Sequence, residues 1–190
     1  MFTTDWFEKT GQRNFEKNLI HLAGVKRLKF LEVGCYEGAA TVWMLKHVLT
    51  DNESTIDVID TFEGSIEHQE KREELKIDSL KDRFLENISE HRKQVSVHIG
   101  YSQEILKALK QQFDFIYIDG SHQAADVIED AILAFKLLKS NGIMGFDDYK
   151  WNGIGDRLRH PQIAIDAFVT IFADKLKTVE KNYQLFIRKI

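Results

Sequence analysis

The stretch "FDFIYIDGSHQ", Phe113 to Gln123, is a run of aromatic and β-branched residues that stops at a carboxylate, Asp119. Such a run, closed by Gly120 and Ser121, reads as a buried strand that ends in a turn. His122 follows three residues after Asp119. Two readings stand: Asp119 caps the next helix, or the strand delivers Asp119 and His122 to a site. Beyond the turn, Ala124, Val127, Ile128, Ala131, Ile132 and Phe135 recur at helical spacing, and Asn141 with Gly142 is expected to end that helix.

The same alternation extends in both directions. "LKFLEVG" (Leu28 to Gly34), "STIDVIDTF" (Ser54 to Phe62), "VSVHIGY" (Val95 to Tyr101) and "IMGFDDY" (Ile143 to Tyr149) read as strands. Thr10 to Ala23, "GAATVWMLKHVL", "SQEILKALKQ" and "PQIAIDAFVTIF" read as helices, the last with Pro161 in its first turn. "LKTVEKNYQLFIRKI" reads as a closing pair of strands. Strands alternating with helices predict an α/β fold whose mostly parallel sheet is covered on both faces. Ligands of such sheets bind beyond the carboxyl ends of the strands. Five such ends carry polar or glycine residues: Glu32 to Gly38, Asp60 to Gly64, Gly100 to Gln103, Asp119 to His122, and Asp147 with Asp148.

At 190 residues the chain is expected to be one domain, 1–190, with 1–27 as an N-terminal helical cap. A formal charge of −4 and the lack of any Lys/Arg tract argue against nucleic acid as a partner. Cys35 is the single cysteine, which excludes an intramolecular disulfide and a thiolate zinc cluster and suits a reducing, cytoplasmic setting. No apolar run has signal-peptide or membrane-spanning length, so no membrane is expected. Residues 63–93 are roughly half charged, with Ile77, Leu80, Phe84 and Ile88 at helical spacing. They read as a charged helical insertion whose first part, "EGSIEHQEK", is a candidate lid.

The loop "EVGCYEG" departs from a dinucleotide fingerprint, because Tyr36 and Ala39 stand where glycines would admit a pyrophosphate. An adenosine ligand without phosphates fits better, S-adenosylmethionine (SAM) first among them. Asp60, at the end of the second strand, is placed to accept hydrogen bonds from the two ribose hydroxyls. Cys35 reads as a packed small side chain rather than a nucleophile.

At this point the chain resembles the class I SAM-dependent methyltransferases. "LEVGCYEGAATVWM" looks like their first motif, and "GYSQEIL" is similar to a motif of the catechol O-methyltransferase group. "IYIDGSH" with "GFDDY" resembles the metal-dependent branch that includes macrolide and aminocoumarin sugar O-methyltransferases. The resemblance covers the chain from about Trp6 onward. It implies a Rossmann-like, mostly parallel seven-stranded sheet with an antiparallel last strand. It also implies that Glu32, Gly34 and Gly38 shape the methionine end of a SAM site, with Tyr36 along it, Asp60 at the ribose, and Ser102 and Gln103 at the adenine. Asp119 borders that site. Ala40 replaces the serine that the catechol group uses for the SAM carboxylate, with Thr41 as the candidate substitute.

The aligned carboxylates Asp119, Asp147 and Asp148 would bind Mg²⁺ or another hard divalent cation, as an all-oxygen set favours. His122 takes the place of the catechol group's lysine base, and an unperturbed pKa near ~6.5 suits it to proton removal. Asp119 and His122 are thus the expected catalytic pair, and the acceptor is a small hydroxylated molecule. Tyr149 and Trp151 are candidates for the acceptor pocket or for the core, and a homodimer that completes the pocket is a further expectation. The competing expectations are a metal-independent SAM methyltransferase and a catalytically silent SAM-binding module.

Overall fold

The computed structural model describes residues 2–69, 71–153 and 155–190; Met1, Glu70 of the expected lid and Ile154 lie outside them. Seven strands run β1 (Lys29–Val33), β2 (Thr55–Asp60), β3 (Val95–Ile99), β4 (Phe113–Ile118), β5 (Leu138–Phe146), β6 (Leu176–Lys181) and β7 (Leu185–Lys189). They form one sheet in the order β3-β2-β1-β4-β5-β7-β6. β1 to β5 pair in parallel, and β7 is antiparallel to both β5 and β6. The expected mostly parallel sheet with an antiparallel last strand is the observed one.

The helices are α1 (Trp6–Thr10), α2 (Gln12–Leu19), α3 (Ala39–His47), α4 (Ile66–Gln69), α5 (Leu80–Asn87), α6 (Ser102–Ala108), α7 (Ala124–Leu137) and α8 (Pro161–Ile171). Because successive strand residues point to opposite faces, each strand feeds two cores. Phe30, Phe115 and Tyr117 meet Phe15, Trp43 and Phe84 of α2, α3 and α5 on one face. Leu31, Ile116 and Ile118 meet Leu106, Val127 and Phe168 of α6, α7 and α8 on the other. Ile77, Leu80, Phe84 and Ile88 are all buried, so the second part of the charged stretch packs one stripe on the domain.

The end of α7 differs from the sequence expectation. The helix stops at Leu137, and Asn141 and Gly142 lie inside β5, not at the cap. Pairing jumps from Phe113–Leu138 to Phe115–Ile143, so the intervening residues bulge. Asn141 takes φ 64° there, and a Cβ on Gly142 would lie 3.0 Å from the Asp114 carbonyl oxygen. Asn and Gly satisfy the left-handed turn of a bulge as well as that of a helix cap, so local sequence does not separate the two.

Register sets the strand ends level. Val33 pairs with both Ile59 and Ile118, and Ile118 pairs with Phe146. The bonds Gly34 N–H to Ile59 O (2.8 Å), Asp119 N–H to Val33 O (2.7 Å) and Asp147 N–H to Ile118 O (2.9 Å) continue the ladder by one residue. Gly34, Asp60, Asp119 and Asp147 therefore stand side by side along one edge.

Phe15 anchors the N-terminal helices to this sheet. It is fully buried, with ring centroids of Phe7, Trp43, Phe115, Tyr117 and Phe186 at 4.8–6.2 Å. Phe15→Ala should lower unfolding free energy by about 3–5 kcal/mol in urea denaturation. A loss under about 1 kcal/mol would mean that α2 is dispensable to the core.

Candidate functional site

A cavity of about 700 Å³ opens over the carboxyl edge of β1 to β5. Its lining takes residues from all five strand ends, from the N-terminal segment and from the stretch around α4. Of the sequence-predicted site residues, Glu32, Gly34, Tyr36, Asp60, Ser102, Gln103, Asp119, His122, Asp147 and Asp148 line it. Gly38 and Thr41 stand behind the lining.

Thr41 is fully buried, and its hydroxyl donates to Glu32 Oε2 at 2.5 Å. That places Thr41 as a support for Glu32, with no route to a ligand carboxylate. Gly38 has φ 82°, and a Cβ there would meet the Phe84 ring at 2.9 Å; it opens α3 and lets α5 approach. Gly34 is more constrained still: with φ 80°, its Cβ would fall 2.1 Å from the Asp119 carbonyl oxygen. Only glycine fits, so the ends of β1 and β4 touch backbone to backbone.

Asp60 is engaged with its own scaffold. Oδ2 accepts from the backbone N–H groups of Cys35 (2.7 Å) and Tyr36 (3.0 Å), and Oδ1 accepts from that of Phe62 (2.7 Å). It pins the β1 loop to the end of β2, and the lone pair left on Oδ1 is what it can offer a ribose hydroxyl. Burial pushes the Cys35 thiol well above its ordinary range, with the charges of Asp60 and Glu32 adding to the effect; it is no nucleophile.

Glu32 carries an unanswered demand. Its Oε1 is buried without a hydrogen-bond partner. Burial raises its pKa to about 8, with the Thr41 hydroxyl opposing and the Asp60 charge adding to the rise. A buried carboxylate oxygen on a cavity wall suits a cationic or N–H donor from a ligand.

The acidic end holds three groups whose ligand atoms lie within 4.8 Å of one another: Asp119, His122 and Asp148. His122 Nε2 sits 2.7 Å from Asp148 Oδ2, and Tyr183 Oη donates to Asp148 Oδ1 at 2.8 Å. Asp148 adopts φ 54°, an uncommon backbone for a non-glycine residue. Asp147, expected beside them as a further metal ligand, lines the cavity and accepts from Gln184 Nε2 through Oδ1 at 2.8 Å, and it leans on Asp119. The set drawn together is thus Asp119, Asp148 and His122, with Asp147 beside it. Burial and the neighbouring Asp147 and Asp148 charges hold the Asp119 carboxyl well above the usual carboxylate range; Asp147 is raised to about 6 by burial and Asp148.

Around the mouth, Trp6, Tyr36 and His68 form an aromatic cluster with centroid separations of 5.1–5.5 Å. Trp151 packs on His122 at 4.5 Å and lines the cavity, whereas Tyr149 is core, with its hydroxyl on Asp166 at 2.9 Å. Sequence reasoning missed Trp6 and Tyr183 as lining residues and Gln184 as the partner of Asp147. No spacing could have found them, because each reaches the site from a distant segment.

A family model described as a methyltransferase domain matches residues 31–149. An uncharacterized protein of Acanthamoeba polyphaga mimivirus is 30% identical over 134 residues, 70% of this chain; the match spans 57% of that relative's length. Among solved structures, a candidate rRNA methylase from Clostridium thermocellum superposes with a TM-score of 0.71 at 12% identity, covering 95% of this chain and 98% of that one. The O-methyltransferase TomG of Streptomyces achromogenes, involved in tomaymycin synthesis and solved with SAM, gives 0.61 at 14%, covering 100% and 91%. The mycinamycin-pathway methyltransferase MycE, solved with Mg and S-adenosylhomocysteine (SAH), gives 0.62 at 14%, covering 100% and 51%. At such identities the likeness speaks to the fold. Among the described residues no helix is long and apolar enough to cross a membrane.

The raised carboxyl of Glu32 makes a stability prediction for the ligand-free chain. A carboxyl with a higher pKa folded than unfolded holds its proton more tightly in the folded state. Its favourable contribution is therefore complete below the ordinary 4.5 and is lost as pH rises through about 8. Glu32→Gln should be more stable than wild type at pH 8.5, by on the order of 2–4 kcal/mol, with the gap nearly closed at pH 5. Urea denaturation at both pH values measures it; parallel pH dependence of the two proteins would show that Glu32 does not titrate across this range.

Proposed function

The chain belongs to the methyltransferase-domain family, and we propose that it transfers the methyl group of SAM to a hydroxyl of a small acceptor, assisted by a hard divalent cation. The observation that carries this reading is one cavity lined at one end by Glu32, Gly34, Asp60, Ser102 and Gln103 and at the other by Asp119, His122 and Asp148. A cofactor end and a proton-handling end share a single space.

The donor set suits SAM. Among the described residues eight acidic side chains line the cavity (Glu32, Glu37, Asp60, Glu63, Asp119, Asp126, Asp147 and Asp148), against Lys9 as the one lysine or arginine. SAM brings a sulfonium and an ammonium to that acid-rich wall, where a nearby cation favours the ionised form of carboxyls that burial has raised, and supplies an electrophilic methyl carbon. The unpartnered Oε1 of Glu32 is a fitting acceptor for the ammonium, and Gly34 keeps the strand ends close enough to leave room beside them. The same wall disfavours a polyanionic acceptor, which supports a small neutral or cationic molecule over a nucleic acid.

The proton has a defined route. Asp148 Oδ2 orients the His122 imidazole through Nε2, as a carboxylate does for a catalytic histidine. His122 would take the hydroxyl proton as the acceptor oxygen turns nucleophilic. Asp119 and Asp148 would hold Mg²⁺ or a similar ion, which supplies a lowered hydroxyl pKa and a fixed direction of attack. Trp151 packs on His122, and Trp6, Tyr36 and His68 cluster around the mouth. Alignment of the reacting atoms is worth up to roughly 7–11 kcal/mol of barrier in ideal cases.

A second reading, a metal-independent methyltransferase, draws on the same His122–Asp148 pair, which is a complete base without a cation. Chelation separates the two. Under the metal-assisted reading, EDTA should abolish methyl transfer and added Mg²⁺ restore it, and Asp148→Asn should reduce kcat at least about 100-fold while SAH still binds. Activity untouched by EDTA, with His122→Ala still inactive, would favour the metal-independent enzyme. Failure of SAM and SAH to bind in calorimetry would remove methyl transfer altogether.

A further inference from the structure

Asp130 lies on α7 outside the cavity lining and is 1% exposed, yet the side chains that donate to it, Ser102 and Gln103, do line it. Ser102 Oγ donates to Asp130 Oδ1 at 2.7 Å, and Gln103 Nε2 donates to the same oxygen at 3.0 Å. Burial raises the Asp130 carboxyl to about 7, the two donors opposing and Asp126 and Glu129 adding to the rise. An acid this deep, with two anionic neighbours on its own helix, is costly for a mere link between α6 and α7.

The two bonds have a directional consequence. A glutamine amide presents an acceptor on one side and donors on the other, and which side faces a ligand depends on its neighbours. A buried carboxyl oxygen against Nε2 settles the choice, since the turned amide would set oxygen against oxygen. Among the described residues Gln103 Oε1 has no protein partner and is left to accept. The Ser102 hydroxyl hydrogen is likewise consumed, so this serine offers a ligand only lone pairs. At the ends of β2 and β3, beside Asp60 and Gly100, the cavity thus shows two acceptors.

We propose that Asp130 is a positioning residue that makes Gln103 and Ser102 hydrogen-bond acceptors toward the cavity, so that the site selects a purine bearing an exocyclic amine over its 6-oxo counterpart. The inference rests on the SAM reading and adds to it a determinant of base selectivity that does not touch the base. The amine of adenine donates to Gln103 Oε1; a 6-oxo purine would bring acceptor against acceptor, leaving a buried polar group unmatched.

The test is calorimetric titration of the full chain with SAH and with S-inosylhomocysteine, its 6-oxo analogue. Wild type should prefer SAH by at least about 10-fold. Asp130→Leu, which keeps the branched skeleton without an acceptor, frees the Gln103 amide to turn, and the preference should fall to about 2-fold or less. Asp130→Asn can still present an oxygen to both donors and should retain the wild-type preference, which a purely structural role for the charge would not foresee. Asp130→Ala removes the acceptor with a smaller side chain and serves if the leucine variant does not fold. A folded Leu or Ala variant with the wild-type ratio overturns the inference, as does a wild type that binds both ligands equally. A wild type that binds neither overturns the SAM reading and this inference with it.

Discussion

Where β1 and β4 end, their backbones approach so closely that a single methyl group on Gly34 would lie 2.1 Å from the Asp119 carbonyl oxygen. That contact, with the parallel register around it, is the constraint from which the site follows. It fixes the depth at which Glu32 enters the cavity floor and the height at which Asp119 leaves β4. Because Val33 is level with Ile59 and Ile118, and Ile118 with Phe146, the next residue of each strand joins one row. A shift of one residue in any pair would turn a carboxylate toward the helices, since strand side chains alternate between faces.

Crowding carboxylates along one edge is electrostatically unfavourable, and much of the surrounding structure offsets it. Thr41 donates to Glu32 from behind, and three backbone N–H groups surround Asp60. Asp147 is held by Gln184, whose amide nitrogen also reaches the Tyr117 hydroxyl at 2.9 Å. Gln184 Oε1 in turn accepts from Asn14 of α2 at 2.8 Å, and Asn14 exchanges bonds with Asn182. A buried polar chain thus runs from the N-terminal helices to the acidic cluster, with Gln184 fully buried at its centre. Positive φ at Tyr36 and Asp148 marks two points where the chain bends against its preference to reach the cavity.

The N-terminal segment belongs to the site as much as to the core. Thr3 bonds through its N–H and its hydroxyl to the buried Glu37, which Arg83 of α5 also contacts at 3.2 Å. This junction ties the chain start, the β1 loop and α5 together beside the cavity. Phe15 fastens α2 below, and Trp6 stacks on His68 above. Phe2, Thr4, Trp6, Phe7, Lys9 and Thr10 of this segment therefore line the cavity, ahead of the helix that Phe15 anchors.

What the sequence alone determined lies along the chain direction. Apolar runs of strand length, their polar ends and the helical stripe after Asp119 are local patterns, and they were enough for the α/β fold, the parallel sheet and the edge where the cavity opens. They also pointed to Glu32, Asp60, Asp119, His122 and Asp148 as candidates, because residues at or just past a strand's carboxyl end come out at that edge, and all five line the cavity. Tertiary structure decided what those residues touch. Whether Thr41 faces a ligand or Glu32, whether Asp147 or His122 completes the cluster, and whether Asn141–Gly142 caps a helix or bulges a strand depend on partners far away in sequence. Asp147 is held by a glutamine 37 residues on, and Ser102 and Gln103 by an aspartate 28 and 27 residues on. A hydrogen bond is set by distance and direction in space, and local periodicity carries no information about either.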